Sequence, residues 1–536
     1  MLFLPALAIA LLAAAPPSPD ALFEKWNSTR SPGCAVGILQ DGKVLLEKGY
    51  GMASLEYQVP ITPRSRFYLG STSKEFTALT VLQLAQQGRL SLDASIRRHF
   101  RSLPAYTEPV TVRHLLEHSS GIRDYIGLWT INGAGDDTPL NETQVFRLLE
   151  RQSSLNFPPG SEFLYSNSGY FLLAHLTRPL AQRQFPDLAR ELIFAPLGLA
   201  DTLYYTDRFA ILPNRAQGHS PALPLGTYRL NNATLDLAGD GGVFSSLQDV
   251  LTWLKLLDSP PPAYAAAIRA MLTPAKLNSG EQAEYGRGLM LRQFKGLDIV
   301  QHPGGLRGYR SDILWIPSKR LGVACLCNTS DVDAGRMTRQ IANLYLNLPD
   351  PPAVKIPAAQ LQRKTGHFRD QDSGDILHLQ LQGDQLTANY TGFQFILHAF
   401  TPTRFRSAPG SPLDFELQFK ADGDRDVPSF QRVEAESHKP ARYQRIQLDP
   451  APPASPKDYE GTFTSSEVDA QIRLRFDEGQ LRFEQNGIVM GALAHIAGEY
   501  FALANLNVEF LREAGKVTGM KLNTGRVRGL RFQRLP

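Results

Sequence analysis

An internal repeat in the last third of the chain restricts the possible folds more strongly than any other feature. The segment TGHFRDQDSGDILHLQLQGDQL, which begins at Thr365, aligns without a gap on EGTFTSSEVDAQIRLRFDEGQL, which begins at Glu460. Gly366 then matches Gly461. Short alternating segments favour β-strands, and a repeat of this length indicates two copies of one unit. Each copy has roughly 80 to 95 residues, the size of a small up-and-down β-barrel.

The residues before the repeat alternate between strand and helix patterns. CAVGILQDGKVLLEKGYG predicts a hairpin that turns at Asp41-Gly42, and KEFTALTVLQLAQQGRL predicts an amphipathic helix that ends near Gly88. DVLTWLKLL predicts another helix, and RSDILWIP with LGVACLCN predicts a second strand pair. Strands at both ends with helices between them predict an α+β domain whose terminal strands share one antiparallel sheet.

Two proline-rich segments divide the chain. LPDPPAVKIPAAQ follows the α+β pattern, and DPAPPASP separates the two repeats. Both compositions are typical of linkers. We therefore expect an α+β domain over residues 16–348, a first antiparallel β-barrel over residues 349–452 and a second over residues 453–536. Neither barrel sequence has a constellation of His, Cys or carboxylate residues, so we expect the barrels to pack on the first domain or to cover its site.

The first fifteen residues, MLFLPALAIALLAAA, are apolar and end in a small-residue A-x-A pattern. This predicts a signal peptide over residues 1–15 that is cleaved after Ala15, and hence a protein exported to the periplasm or secreted. The alternative is an N-terminal membrane anchor, although the apolar segment is short for a span. We expect no stable membrane insertion after cleavage.

Charge and cysteine content exclude several classes of protein. Lys and Arg number 56 against 52 Asp and Glu and are scattered along the chain, so no nucleic-acid partner is expected. Cys325 and Cys327 fall on one face of a predicted buried strand, and with Cys34 they make an odd number. We therefore expect buried thiols instead of a disulfide framework. Metal and nucleotide motifs such as H-E-x-x-H, C-x-x-C and the P-loop are absent from the sequence, so no cofactor is expected.

The segment FYLGSTSKEFTAL raises the question of catalysis. Ser71 lies at a predicted helix start and Lys74 one turn later, so both side chains share one helical face. A serine becomes a useful nucleophile when a neighbouring base removes its proton, and the lysine of such a pair can act as that base. A lone S-x-x-K occurs by chance, however, and Ser71 can equally serve as a helix N-cap.

Two further motifs decide between these interpretations. PPGSEFLYSNSGYFLLAHL places Tyr165 and Asn167 before an apolar helix, and QHPGGLRGYRSDILWIP places His302 two residues before Gly304. Together with Ser71 and Lys74, these motifs resemble the serine β-lactamase and penicillin-binding-protein superfamily, in the branch that carries H-x-G where β-lactamases carry K-T-G. The phrases LLEHSSGIRDY, AGDGGVFSSLQDVLTWL and GRGLML also resemble the family.

The resemblance implies a role for each motif residue. Ser71 is the nucleophile, Lys74 its base, and Tyr165 a second base or proton shuttle. Asn167 binds the substrate amide, and His302 belongs to the catalytic set. Gly304 and Gly305 line the substrate site, where the oxyanion hole consists of the backbone N–H groups of Ser71 and Gly305. His118 and His175 are expected to be structural.

The H-x-G motif also bears on the substrate. His302 is mostly neutral at pH 7 and Pro303 has no hydroxyl, so anchoring of a substrate carboxylate is weakened unless Arg307 or Arg310 restores a positive charge. The H-x-G branch includes D-aminopeptidases, D-amino-acid amidases and esterases, and the D-aminopeptidase has a similar three-domain layout. We therefore expect a serine hydrolase that acts on a small-molecule or peptide amide or ester. The alternatives are a β-lactamase or DD-carboxypeptidase and, from another class, a ligand-binding or sensor protein on the same fold.

Overall fold

The structure, a computed structural model, describes most of the chain after the predicted signal peptide, which lies outside the described residues. The centres of both proline-rich linkers (350–353 and 449–454) also lie outside them. The described residues are 17–133, 138–349, 354–371, 374–390, 393–408, 415–420, 426–434, 437–448, 455–503 and 506–536. None of the helices within these ranges has the length and apolar character needed to cross a membrane.

The first domain combines thirteen strands with nine α-helices, numbered in chain order within the described residues. The strands are β1 (Cys34–Gln40), β2 (Lys43–Tyr50), β3 (Met52–Ser54), β4 (Val59–Pro60), β5 (Arg66–Tyr68), β6 (Leu203–Tyr204), β7 (His219–Ala222), β8 (Thr227–Leu230), β9 (Val243–Ser246), β10 (Met290–Phe294), β11 (Leu297–Leu306), β12 (Tyr309–Ile316) and β13 (Leu321–Cys327). The helices are α1 (Ser73–Gln86), α2 (Val112–Leu116), α3 (Tyr125–Ile131), α4 (Glu142–Glu150), α5 (Asn167–Ala181), α6 (Phe185–Ala189), α7 (Leu247–Asp258), α8 (Pro262–Met271) and α9 (Ala334–Leu346).

A six-stranded antiparallel sheet with the order β10-β11-β12-β13-β1-β2 is the main sheet of this domain. It joins strands from the start and the end of the domain, as the sequence predicts, and β1 and β2 form the predicted hairpin. Alternation along β13 sends Ala324 and Leu326 into the large core with the helices. Val323 and Cys325 point to the opposite face, where α9 packs. Both faces of β13 are therefore buried, whereas the edge strand β2 is largely exposed.

Helix α1, which follows Ser71, differs from its prediction. The sequence predicts an amphipathic helix, but every side chain from Ser73 to Leu84 is buried. Helices α5 and α8 and the residues around α6 pack around it. Its polar residues are accommodated by specific partners, since Thr77 donates to the carbonyl of Gly239 at 2.6 Å. The polar positions of α1 thus face protein instead of solvent.

The cysteines correct a second prediction. Cys34 of β1 lies directly opposite Cys327 of β13, and the two form a disulfide. Cys325 remains a buried free thiol, with its sulfur 3.5 Å from that of Cys327. The expectation of buried thiols without a disulfide is therefore wrong for Cys34 and Cys327 and holds for Cys325. The physical reason is the register in which β1 pairs with β13, which places Cys34 opposite Cys327 and which local sequence does not reveal.

Two closed eight-stranded antiparallel barrels follow the short helix α10 (Ala358–Gln362) and confirm the predicted fold class. The first contains β14 (Gly366–Asp370), β15 (Ile376–Gln382), β16 (Gln385–Tyr390), β17 (Phe393–Thr401), β18 (Arg404–Ser407), β19 (Phe415–Phe419), β20 (Ser429–Glu434) and β21 (Ser437–Ile446). The second contains β22 (Gly461–Ser465), β23 (Ala470–Asp477), β24 (Gln480–Gln485), β25 (Ile488–Ala497), β26 (Tyr500–Leu503), β27 (Leu506–Glu513), β28 (Lys516–Thr524) and β29 (Val527–Arg534).

The sequence repeat corresponds to the same strand register in both barrels. Gly366 pairs with Leu379 in the first barrel, and Gly461 pairs with Leu474 in the second. Both glycines have a positive φ, 131° and 145° respectively, which disfavours other residues. The conserved spacing of glycine and leucine in the repeat thus marks the first hairpin of each barrel.

The second barrel packs against the first domain through a buried ion pair. Arg123, between α2 and α3, donates to Glu467 at 2.7 Å, and their side chains are only 2% and 9% exposed. Arg123 also donates to the carbonyl of Arg528 in β29. Asn132 donates to the carbonyl of Val468 at 2.6 Å. The barrel is therefore held beside the segment that leads to Tyr165 and Asn167.

Candidate active site

Ser71 lies in a tight 3₁₀ turn (Gly70–Thr72) that connects β5 to α1. The turn needs glycine before the serine, because Gly70 has φ 53° and a Cβ there would lie 2.6 Å from the backbone nitrogen of Gly305. Ser71 is partly buried, whereas Lys74, one turn later, is fully buried. The local sequence therefore places the serine at the start of a buried helix and against strand β11.

Lys74 is the centre of the site. Its Nζ atom lies 3.2 Å from Ser71 Oγ, 2.9 Å from Asn167 Oδ1 and 2.6 Å from the carbonyl oxygen of Asp240. A neutral lysine amine has two N–H bonds and one lone pair. If Asn167 and Asp240 accept the two N–H bonds, the lone pair faces the hydroxyl of Ser71. This arrangement suits a base beside a nucleophile.

Tyr165 and Asn167 meet Lys74 from the segment that enters α5. The Tyr165 ring lies 4.9 Å from Lys74 Nζ, and its side chain is only 5% exposed. Asn167 is the first residue of α5, and its backbone N–H donates to Asp124 at 2.6 Å. The aspartate that caps α3 therefore also fixes the start of α5, which orients the Asn167 side chain toward Lys74.

His302 lies in β11 and is completely buried. Its Nδ1 is 2.9 Å from the carbonyl of Pro303, which can only accept, so Nδ1 carries the proton and Nε2 accepts from the hydroxyl of Tyr285 at 3.3 Å. Burial, with a smaller contribution from Lys74, lowers the pKa of His302 to about 3. The imidazole is therefore neutral at physiological pH, as the sequence argument anticipates, and both ring nitrogens already contact protein.

The glycines of the H-x-G motif allow β11 to press against the serine turn. A Cβ on Gly304 would lie 1.9 Å from the carbonyl oxygen of Leu69, which is far inside a van der Waals contact. Ser311, opposite Gly304 in β12, donates to the same carbonyl at 2.6 Å. Thr72 donates to the carbonyl of His302 at 2.9 Å. Contacts of Thr72 and Ser311 thus join motifs separated by 230 residues, and sequence reasoning missed both.

The structure brings all seven predicted site residues to one place. Ser71, Lys74 and Asn167 are linked by direct contacts, and the Tyr165 and His302 rings lie 6.1 Å apart. Gly304 and Gly305 border the serine turn. His118 packs 4.3 Å from the Tyr165 ring and accepts from the backbone of Ser166, while His175 lies elsewhere and contacts Glu142. These contacts fit the structural roles predicted for both histidines.

Comparison with known proteins agrees with this geometry. The sequence profile of the Beta-lactamase family matches residues 20–346, which is more than half of the chain. The chain belongs to the beta-lactamase family. Its site is accordingly that of a serine hydrolase.

Relatives and solved structures extend the likeness of this beta-lactamase family member. A D-aminopeptidase from Gluconobacter oxydans is 26% identical over 94% of this chain and 96% of its own. Penicillin-binding protein 4* from Bacillus subtilis is 29% identical over 72% of this chain and 90% of its own. The structure of the octameric penicillin-binding protein homologue from Pyrococcus abyssi covers 78% of this chain and 98% of its own, with a TM-score of 0.56 and 24% identity.

The beta-lactamase fold is extended here by a hairpin of the second barrel that reaches the site. The turn between β28 and β29 carries Arg526, whose guanidinium lies 4.8 Å from the Tyr165 ring. Asn156 donates to the backbone carbonyl of Arg526 at 3.0 Å, and Val527 packs on Gly127. The sequence predicts that the barrels pack on the first domain or cover its site, but no sequence motif marks this contact.

Positive charge near the H-x-G motif comes from two arginines of the β11–β12 hairpin. A Cβ on Gly305 would lie 3.3 Å from the side chain of Arg310, so this arginine runs directly over the glycine. Arg310 donates to the carbonyls of Arg307 and Tyr309, at 3.0 and 2.7 Å. Arg307 lies 3.3 Å from the hydroxyl of Thr234. Of the two predicted candidates, Arg310 is the one that borders the motif.

Side chains that could together bind a metal ion are grouped at one place within the described residues. The sulfur atoms of Cys34, Cys325 and Cys327 lie within 4.8 Å of one another and are buried. Two of them are joined in the disulfide, which leaves one thiol to act as a ligand. The serine site itself consists of hydroxyl, amine, amide and imidazole groups, which support acyl transfer without a metal ligand set.

Proposed function

We propose that the protein is a D-aminopeptidase or a related D-amino-acid amidase or esterase. The observation that carries this proposal is the extent of the likeness to D-aminopeptidase, which covers 94% of this chain and so includes both barrels. The match to penicillin-binding protein 4* covers 72%. A fold of this kind fits a small-molecule or peptide substrate.

The site geometry supports a two-step acyl transfer. Ser71 Oγ attacks the carbonyl carbon of the substrate while its proton moves to Lys74 Nζ, and the backbone N–H groups of Ser71 and Gly305 stabilise the oxyanion. The leaving amine or alcohol then takes a proton through Tyr165. A water molecule attacks the Ser71 ester with the same groups acting in reverse, which releases the acid and restores the serine.

The surroundings of His302 support a substrate that does not depend on a strongly held carboxylate. The imidazole is neutral, with both nitrogens in contact with protein, and Pro303 has no hydroxyl. Arg310, which borders the motif, directs its Nη1 atom to two backbone carbonyls. The K-T-G motif of penicillin-recognising relatives instead offers a lysine and a threonine hydroxyl. We infer that amide or ester substrates without a β-lactam carboxylate are preferred.

A small substrate panel tests the proposal. Wild type, Ser71→Ala and a control at the exposed Ser102 (Ser102→Ala) are assayed with D-alanine and L-alanine p-nitroanilide, p-nitrophenyl acetate and butyrate, and nitrocefin. Wild type and the control are expected to hydrolyse D-alanine p-nitroanilide faster than the L-isomer, and Ser71→Ala to lose this activity. A lasting penicillin adduct without hydrolysis of D-alanyl amides or esters contradicts the proposal and favours a β-lactamase or DD-carboxypeptidase. Unchanged activity in Ser71→Ala rules out the serine mechanism.

We further propose that the protein is exported. The apolar N-terminal segment with its A-x-A pattern supports this, and the Cys34–Cys327 disulfide is typical of an oxidising compartment. Expression of the full chain in a Gram-negative host is expected to yield periplasmic protein whose N-terminus begins after Ala15. Cytoplasmic protein that retains residues 1–15 contradicts the proposal.

A further inference from the structure

Asp240 is a buried acid at the catalytic centre to which none of the recognised motifs gives a role. It lies in the AGDGG phrase between β8 and β9, and its side chain is 6% exposed. Its backbone carbonyl accepts from Lys74 Nζ at 2.6 Å, and its Oδ2 accepts from the hydroxyl of Tyr125 at 2.7 Å. Asp240 therefore contacts the base of the reaction through its backbone and a buried tyrosine through its side chain.

The loop that carries Asp240 is locked in position by close packing. Gly239 and Gly242 have φ values of 113° and 96°, and a Cβ on Gly239 would lie 2.3 Å from the carbonyl oxygen of Tyr170. Thr77 of α1 donates to the carbonyl of Gly239 at 2.6 Å. The backbone N–H of Gly242 donates to the hydroxyl of Tyr68 at 3.0 Å. The Asp240 carbonyl, which accepts the hydrogen bond from Lys74, is thus held by contacts of the residues on both sides of it.

Tyr125, which donates to the Asp240 carboxyl group, is itself held in place by close packing. It is completely buried at the start of α3, and its backbone N–H donates to Ser168 of α5 at 2.8 Å. Its neighbour Asp124 caps the backbone of Asn167. The phrases GIRDY and AGDGG, which resemble the family but have no assigned chemistry, therefore meet around Lys74. Asn167, which also accepts from Lys74, is part of the same frame.

Among the described residues, the groups around Lys74 and Asp240 leave the Lys74 ammonium as the one positive charge that Asp240 can balance. Lys74 faces the neutral groups of Asn167, Tyr165, Tyr170 and the neutral imidazole of His302. The ionisable groups that act on the Asp240 carboxyl are, from four elements, Lys74, Tyr125 with Asp124, Tyr68 and Tyr204. Burial raises the pKa of Asp240 above its ordinary value, and the nearby Lys74 opposes this rise.

The second carboxyl oxygen is available to respond to charge. Within the described part of the chain, Asp240 Oδ1 is buried and has no hydrogen-bond partner. An unsatisfied buried oxygen of this kind is costly unless a nearby charge or a proton compensates it. The ammonium of Lys74 supplies that charge at the step in which the proton leaves Ser71.

We propose that Asp240, anchored by Tyr125, is a positioning residue that orients Lys74 and balances the ammonium formed when Lys74 accepts the Ser71 proton. In that step the Ser71 O–H bond breaks, an N–H bond forms on Lys74, and the Ser71 oxygen forms the bond to the acyl carbon while the π electrons of the carbonyl move onto its oxygen as the oxyanion. Asp240 touches neither the substrate nor the reacting carbon. The inference rests on the proposed serine hydrolase mechanism but on no particular substrate.

The test measures how fast Ser71 reacts with a fluorophosphonate probe, by intact-protein mass, between pH 4 and 9. The probe bonds its phosphorus to Ser71 Oγ and releases fluoride, so it reports nucleophile activation without a known substrate. The variants are Asp240→Asn, which keeps an acceptor for Tyr125, and Tyr125→Phe. The matched control is Asp236→Asn, four residues earlier on the same loop, where the acid pairs with Arg208.

Asp240→Asn is expected to lower the labelling rate at pH 7 by about tenfold or more and to move the acid limb of the pH profile down by about one pH unit. The limb moves down because an ammonium without a neighbouring carboxylate loses its proton more readily. Tyr125→Phe is expected to change both quantities in the same direction by less, and Asp236→Asn to change neither. Thermal unfolding of each variant monitors the fold.

The outcomes separate the inference from the function on which it rests. A lower rate in Asp240→Asn with an unmoved acid limb shows a purely structural role and overturns the inference, as does an unchanged rate. In both cases labelling of wild type at Ser71 leaves the serine hydrolase function intact. If wild type is not labelled at Ser71, the function and the inference both fail.

Discussion

The ion pair between Arg123 and Glu467 is expected to hold the second barrel against the active site. Arg123 donates to Glu467 at 2.7 Å and to Gln152 at 2.8 Å, in a contact where the paired side chains are 2% and 9% exposed. Removing one member leaves the other charged and buried, which costs about 3 to 5 kcal/mol. Arg123→Met and Glu467→Gln should therefore each destabilise the docked barrel strongly.

The tryptophans make this prediction measurable. All four tryptophans of the chain, Trp26, Trp129, Trp253 and Trp315, lie in the first domain, so their fluorescence reports that domain alone. Circular dichroism also reports the barrels. In wild type the two signals are expected to change together on urea unfolding, whereas in each single variant the dichroism transition should begin at lower urea. The double variant should be no worse than the poorer single one, so the coupling energy should be at least the cost of the milder single variant, about 3 kcal/mol.

A surface pair between the same two domains provides the control. Arg151 and Asp469 lie 3.0 Å apart but are 47% and 77% exposed. Water screens such a pair, so Arg151→Met should cause no measurable shift. If Arg123→Met shifts the transition as little as Arg151→Met, or if the single variants are additive, the buried pair does not hold the barrel in place.

Three further predictions concern pH and specificity. The pKa of His302 is about 3 in the folded protein against an ordinary 6.5, so below pH 6.5 the unfolded chain binds more protons at this residue than the folded one. This group alone should make the free energy of unfolding, measured with urea, about 3 kcal/mol lower at pH 4 than at pH 7. His302→Gln should remove this pH-dependent difference. Burial raises the pKa of Asp312 from 3.8 to about 6, so the stability that its protonated form contributes is lost as pH rises through 6. Asp312→Asn should therefore gain about 2.4 kcal/mol relative to wild type between pH 4 and pH 8 in the same assay, and an equal difference at both pH values contradicts this. Arg526→Ala should raise kcat/KM for bulky p-nitrophenyl esters about tenfold relative to the acetate, because the side chain over Tyr165 narrows the entrance; an unchanged ratio contradicts that role.

Local sequence patterns predicted much of the fold. The Asp41-Gly42 hairpin forms as predicted because both residues adopt the positive φ that this two-residue turn requires, 50° and 76°. The repeat marks two barrels because its glycine and leucine positions recur in the same strand pairing. Each of these features depends on residues close together in the chain, which is why the sequence alone reveals them.

Features that depend on distant contacts could not be predicted. The Cys34–Cys327 disulfide depends on the register between the first and last strands of the sheet, which are 293 residues apart. The polar positions of α1 suggest a solvent-facing side, but periodicity does not show that other helices cover it. Asp240 and Tyr125 meet across 115 residues, and no local pattern marks either as a partner of the other.

In the candidate site, too, the contacts between residues close in sequence could be predicted and those between distant residues could not. Ser71 and Lys74 are one helical turn apart, so their contact follows from helix geometry. The position of Arg526 over Tyr165 depends on how the second barrel docks, and its turn sequence is that of an ordinary β-hairpin. The chemistry of the site could therefore be anticipated from the motifs, while the contact of Arg526 with Tyr165 could not.

The proposed mechanism requires that Ser71 forms a covalent ester with the substrate. Rapid quenching of wild type during turnover of p-nitrophenyl acetate or D-alanine p-nitroanilide, followed by peptide mapping by mass spectrometry, tests it directly. The account predicts an acyl group on the peptide that contains Ser71, no such adduct in Ser71→Ala, and a slower rise of the adduct in Lys74→Ala. Turnover with an acyl group on another residue, or an adduct that persists in Ser71→Ala, would contradict it.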